Sequence, residues 1–512
     1  MTRRHWLAST AGAMAAAQDV RRGSFPGLCL NQDATQFYMG RADHAADVEH
    51  VASWVDQYAN TQVRELILNV NAMRAAYASK VRDSFWTGYD PAGPDDQPLF
   101  RSQAPEARKS VRKWVDYAYR LNAAGIDPYS VWIARARKKG LTPWISVRMN
   151  DVHNTEDEQH YLHSSFWKQH PQFRRVSYRF QGTTERALDY EHPEVREYTM
   201  AFVREVCERY DFDGLELDWM RFPYHFRPGR EQAGLAVLSG FMREARAVVN
   251  AAERRRGHKI RIAVRVPAHP ESAMKFGYDV AEWCRSGACD YVTITPFWGS
   301  TDTDMPVELW RQLLGDNVTI AAGLEILIRP YPAYRPLQSN SLETTRGVAA
   351  AHLQRGADRV YLFNYFDDDP GIADCYAQLL KESGSLATLA GKPRRHVLTY
   401  PLPPAVGEAV GIALPAEMAA DSWRDFRIAT GPREAQARVR MGVEGGDPSG
   451  WEVRVNGELC RAAGADDGLK PGVNTVMHGY AVPATAMQNG SQVISVHAKS
   501  AGRIVWVEMA IA

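Results

Sequence analysis

Eight short runs rich in β-branched and aromatic residues, each followed by a stretch of helical periodicity, divide the chain between about residues 24 and 385. The runs lie at 25–31, 63–71, 142–150, 212–220, 260–266, 291–298, 318–326 and 359–366. Strands that alternate with helices form parallel sheets through right-handed crossovers, and eight such units close on themselves. The expected fold is therefore α/β, a (β/α)8 TIM barrel with its helices outside and every strand's C-terminal end on one face. Chemistry is expected on that face. The stretches after the second and third runs, 79–105 and 151–190, are rich in Trp, Tyr, His and Arg. Loops of that length in a compact domain usually carry function.

Past residue 386 the helical period disappears. Pro-rich TYPLPPAVG (399–407) leads into short alternating segments such as ARVRMGV, WEVRVNGELC, SQVISVHA and RIVWVEMAI, with Gly, Asn, Asp and Pro between them. This pattern predicts a small antiparallel β-sandwich of the jelly-roll kind over 386–512, following a barrel over 21–385. Buttressing the barrel is its expected role, with polysaccharide binding as the other. At the opposite end, Arg3 and Arg4 precede the small-residue stretch Ala8 to Ala17. Residues 1–20 are read as an export signal resembling the twin-arginine kind, which would place the mature protein in the periplasm or outside a bacterial cell.

With 61 Lys plus Arg against 60 Asp plus Glu, the formal charge of +1 leaves no basic face or tail to recruit nucleic acid or an anionic membrane. No later stretch approaches the roughly 20 apolar residues of a membrane span. The six cysteines match no metal spacing, and only Cys284 and Cys289 are placed to pair locally. Neither a metal nor a cofactor is expected, and the sequence does not speak to oligomeric state. P-loop, dinucleotide and serine-elbow motifs are absent.

The richest segment is YDFDGLELDWMRFPYHF, 210–226. Alternate strand residues share a face, so Gly214, Glu216 and Asp218 point into the barrel while Leu215 and Leu217 face the helices. Unpartnered carboxylates inside a barrel cost several kcal/mol, and catalysis is one reason to place them there. The alternative is structural: Arg148 or Arg265 on neighbouring strands would hold Glu216 as an ion pair. With HPEVR at 192–196, YDFDG at 210–214, LD at 217–218 and RFP at 221–223, this region resembles the bacterial family-10-like glycosyl hydrolases. The resemblance covers about 25–385, is strongest over 140–225, and implies a barrel acting on glycosidic bonds. Chitinase-type barrels of family 18 carry a related strand motif ending in a catalytic Glu. Here Met220 stands at that place and cannot donate a proton, so substrate-assisted chitinase chemistry is not expected.

Glycoside hydrolysis commonly uses two carboxyl groups. For Asp218 the expected partner is Glu325, at the end of the seventh run across the barrel, with Glu216 in reserve. Side chains at strand tips suited to hold a sugar are Asn31, Asn69, Asn71, Arg148, Asn150, Asp151, Arg221, Arg265, His269, Thr295, Trp298, Asn364 and Tyr365. Amides and guanidinium groups suit hydroxyls, and aromatic rings suit sugar faces. The partner is thus a carbohydrate. Arg148, Arg221 and Arg265 would fit an anionic one, although an account in which arginines pair with Glu216, Asp151 and Asp218 stands ahead. Two other functions remain open: a lectin-like barrel without chemistry, which Met220 favours, and a polysaccharide lyase using His153 or His269 as base.

Overall fold

The computed structural model describes residues 27–180, 182–297, 299–335, 337–402, 411–466 and 475–512. Eight parallel strands close a barrel: β1 (Leu28–Gln32), β2 (Val63–Asn69), β3 (Thr142–Arg148), β4 (Gly214–Asp218), β5 (Arg261–Pro267), β6 (Tyr291–Thr295), β7 (Thr319–Glu325) and β8 (Arg359–Phe363). Each strand pairs with its sequence neighbours, and β1 pairs with β8 to complete the ring. All eight runs read from the sequence are strands, and all but β5 are shorter than their runs, because the last residues of several runs turn off the sheet to build the mouth.

Helices α1 (Val48–Ser53), α2 (Pro105–Ala123), α3 (Pro128–Lys138), α4 (Pro193–Arg209), α5 (Glu231–Arg256), α6 (Val280–Arg285), α7 (Val307–Leu314), α8 (Leu342–Gln354) and α9 (Tyr376–Glu382) pack outside. Their ends are set by local chemistry. Asp47 and Asp127 accept backbone N–H groups at the starts of α1 and α3, Pro opens α2, α3 and α4, and Gly257 at φ 76° closes α5. Leu215, Leu217, Val264, Val266, Ile294 and Leu324 turn outward into the layer shared with these helices. Inside, Cys29, Ile67, Trp144, Ala263, Tyr291, Ala321, Tyr361 and Phe363 form a plug across the middle of the barrel. Gly214 is glycine because Trp144 occupies its side: a Cβ there would sit 2.1 Å from the indole.

The strands β9 (Arg394–Val397), β10 (Ala416–Met418), β11 (Ser422–Gly431), β12 (Ala437–Glu444), β13 (Glu452–Val455), β14 (Glu458–Leu459), β15 (Arg461–Ala465), β16 (Val476–Val482), β17 (Gly490–Ala498) and β18 (Gly502–Ile511) form two antiparallel sheets. One runs β9-β18-β12-β16-β15, with β10 also on β18, and the other runs β11-β17-β13-β14. Their inner faces share one apolar core that includes Phe426, Val439, Met441, Val453, Ile494 and Trp506. This is the predicted sandwich. It lies on the barrel through β9, whose Arg395 backbone comes so close to α8 that a Cβ on Gly347 would meet the Arg395 carbonyl oxygen at 2.0 Å.

All six cysteines are free thiols, Cys284 and Cys289 included. Among the described residues no helix is long and apolar enough to cross a membrane. The export reading of residues 1–20 lies outside the described residues.

Candidate active site at the C-terminal mouth of the barrel

Register places Arg148, Asp218 and Arg265 side by side on β3, β4 and β5, and Glu325 beside Phe363 on β7 and β8. Their inward side chains make the last layer before the mouth. Asp218 is 1% exposed and fully engaged: its Oδ1 accepts the Met220 and Arg221 N–H groups at 3.0 Å, and Arg265 Nη1 lies 3.0 Å from Oδ2. The same guanidinium reaches Glu325 with Nη2 at 4.0 Å from Oε1. Two acids from opposite staves therefore meet at one cation. That differs from an open cleft between them, because Arg265 fills the space and stacks 3.7 Å above the Phe363 ring.

Glu325 is held more loosely. Oε2 accepts the Ile326 N–H at 3.2 Å and the Asn364 amide at 3.4 Å, while Oε1 makes no hydrogen bond to a described residue. Burial pushes its carboxyl up to about 7, against the opposing pull of Arg265 and Arg221. Glu216, one layer deeper, accepts hydrogen bonds from Ser146 at 2.7 Å, Tyr361 at 3.0 Å and Asn31 at 3.3 Å. Burial raises its pKa, and neighbouring Asp218 adds to the rise. Among the described residues no arginine stands within ion-pair distance of Glu216. The expectation that Arg148 or Arg265 holds it is corrected: neutral donors take that place, and the arginines turn to acids nearer the mouth.

Arg148 pairs with Asp33 and, at 3.3 Å, with Asp151. Burial pushes up both acids, but the surrounding donors and cations outweigh it and leave both well below the usual carboxylate range; Arg148 leads for Asp33 and His153 for Asp151. Asp151 also accepts the N–H and Nδ1–H of His153, at 3.0 and 2.8 Å. Arg221 Nη2 then donates to His153 Nε2 at 2.7 Å, which fixes the neutral tautomer with its proton on Nδ1. Beyond Arg221, Phe222 adopts φ 65°, a left-handed conformation costly for an aromatic residue, and packs against His153 and Phe297. Burial, with Arg148 nearby, lowers the Arg221 guanidinium to about 10.

The remaining strand-tip residues divide by partner. Asn69 donates to the Ser146 carbonyl, and Asn71 bonds both the N–H and the carbonyl of Arg148. Asn150 clamps Leu188 and Tyr224 backbones, and Tyr365 is buried outside the sheet, its hydroxyl beside Thr345. These four, read from the sequence as sugar contacts, all bond neighbouring segments of the protein, while Asn69 keeps its Oδ1 without a hydrogen bond to a described residue. Thr295 is fully buried and bonds the Pro296 carbonyl. His269 stands at the rim with Nε2 3.2 Å from Asp302, and Asn364 is half-buried there. Trp298 lies outside the described residues. Asp33 and Asp302 were not singled out in the sequence. The one available sign for Asp33 was an acid directly following the first β run. Among the described residues no three His, Cys, Asp or Glu side chains group as metal ligands would.

Residues 53–260 match the glycosyl hydrolase-like 10 family. The glycosyl hydrolase-like 10 segment contains β2 to β4, hence Glu216, Asp218, His153 and Arg221, whereas Arg265 and Glu325 lie beyond it. No curated protein sequence matches the chain. Among solved structures it is similar to alpha-L-fucosidase isoenzyme 2 from Paenibacillus thiaminolyticus, at 11% identity and a TM-score of 0.43. That match covers 72% of this chain and 51% of the fucosidase chain, so this chain spans about half the length of that protein. The glycoside hydrolase domain of PgaB (BpsB) from Bordetella bronchiseptica matches at 11% identity and a TM-score of 0.38, covering 71% of this chain and 99% of that one. A family GH18 chitinase from Chromobacterium violaceum matches at 10% identity and a TM-score of 0.36, covering 94% and 91%.

Proposed function

We propose that the chain hydrolyses O-glycosidic bonds of an oligo- or polysaccharide at the barrel mouth, with Glu325 as general acid and Asp218 as the second carboxyl group. One observation carries this reading: two inward acids share Arg265, yet their environments differ. Asp218 is ion-paired on one side and held by backbone N–H groups on the other, whereas Glu325 keeps one oxygen without a hydrogen bond and a pKa of about 7. An acid that retains its proton near neutrality beside a carboxylate held in an ion pair is the division of labour that glycosidic cleavage requires. As the glycosidic oxygen takes the proton, the charge left on Glu325 forms close to the guanidinium that already faces it. Export across the bacterial membrane, for which Arg3, Arg4 and the Ala-rich stretch speak, would bring such an enzyme to polysaccharide outside the cell.

Reducing-sugar release from a panel of plant, algal and bacterial polysaccharides tests this. Glu325→Gln and Asp218→Asn are each expected to lower turnover by roughly 10²–10⁴ while leaving the folded state intact. Undiminished turnover in both variants would refute the assignment. The burial of Asp218, with both oxygens occupied, together with Met220, supports a second reading in which the barrel binds sugar without cleaving it. Glycan binding with no product from any polysaccharide would select that reading.

A further inference from the structure

Three guanidinium groups enter the mouth, and two of them have carboxylates against them: Arg148 meets Asp33 and Asp151, and Arg265 meets Asp218 and Glu325. Arg221 differs. It is 9% exposed, yet no carboxylate lies within ion-pair distance of it among the described residues, and its one side-chain hydrogen bond goes to the neutral Nε2 of His153. Its Nε makes no hydrogen bond to a described residue. The group lies near the Phe222 and Phe363 rings, 5.4 and 5.6 Å from their centroids, and the carboxylates that favour its charge, Asp151, Asp33 and Glu325, do so without touching it. A buried cation with no carboxylate in contact is costly, and the left-handed Phe222 that follows adds backbone strain at the same place. Cost of both kinds at one residue, in the layer that faces the mouth, points to a ligand that supplies the missing direct ion pair.

We infer that Arg221 receives an oxyanion substituent of the substrate, so that the sugar bound at the mouth is acidic, carrying a uronate carboxylate or a sulfate ester. The inference rests on the reading of the mouth as a carbohydrate site. Arg is suited to both groups because its planar donors match two oxygens of either one. His153 then positions Arg221: Asp151 fixes the imidazole, and the imidazole fixes one guanidinium nitrogen, leaving the others for the ligand.

Calorimetric titration with the uncleaving Glu325→Gln protein tests this, using an oligogalacturonate, a sulfated galacto-oligosaccharide and a neutral galacto-oligosaccharide of equal length. One acidic probe is expected to bind roughly ten- to a hundredfold tighter than the neutral one, the span expected of a hydrogen bond to a charged group. Adding Arg221→Met should erase that preference, and which acidic probe shows it separates carboxylate from sulfate. Equal binding of all three probes, or a preference that survives Arg221→Met, overturns the inference. Should Arg221→Met fail to fold, Arg221→Lys decides in the same titration: it keeps the charge but loses the planar donors, and undiminished acidic preference would count against a guanidinium contact. Arg221-dependent binding without product from the unmodified chain upholds the inference and sinks the hydrolase reading. Product from neutral glycans alone does the reverse.

Discussion

Glu325 carries a consequence for pH. Its carboxyl titrates at about 7 in the folded chain against 4.5 for an ordinary glutamate. A folded state that holds a proton more tightly than the unfolded one is favoured at low pH. The contribution is fully present below about 4.5 and is lost as pH rises through the window from 4.5 to about 7. Its size is on the order of 3 kcal/mol at one site. Glu325→Gln should therefore flatten the decline in unfolding free energy between pH 5 and pH 8, as measured by urea titration at both values. An unchanged pH slope would show that Glu325 ionises in the fold as it does in water. Activity should follow the same proton, with kcat falling as pH climbs past 7 if Glu325 must arrive protonated.

Among the elements, β4 shows how closely sequence and packing agree. Gly214, Glu216 and Asp218 alternate inward, and the outward Leu215 and Leu217 fill the helical layer. Gly214→Ala would drive a methyl into the Trp144 ring, and overpacking of this kind costs about 1–3 kcal/mol. Wild-type stability of that variant in urea would mean that Trp144 moves aside freely. Strand identity and facing were legible because period-two alternation and β-branched runs follow from backbone geometry alone. The roles of the strand-tip amides were not. Asn71 and Asn150 look the same in sequence whether they face a sugar or cap a neighbouring backbone, and only the position of Arg148, Leu188 and Tyr224 decides it. Asp33 escaped notice for the same reason: its partner Arg148 lies 115 residues away. The pairing of Arg265 with Asp218 was foreseeable, since adjacent strands in register put them together.

For the whole molecule, one contact between barrel and sandwich is backbone against backbone at Gly347 and Arg395. Gly347→Ala places a carbon where the Arg395 carbonyl is, so α8 and β9 must part; a loss of about 1–3 kcal/mol is expected. The control is Gly240→Ala on α5, where the nearest atom to the new methyl is the Arg243 guanidinium at 4.0 Å. That change should leave stability unaltered or raise it by up to about 1 kcal/mol, through helix propensity alone. Thermal melts of the two variants side by side measure the difference, and matching melts would show that the sandwich does not brace the barrel there. The pairing of β1 with β8 has a temporal consequence. A chain made from its amino end holds Asp33 and Arg148 long before Glu325 and Asn364 exist, so the ring cannot be clasped until β8 has been made. The mouth is in that sense complete only once β8 exists, and any premature product ending before it should be inert however well its first strands pair.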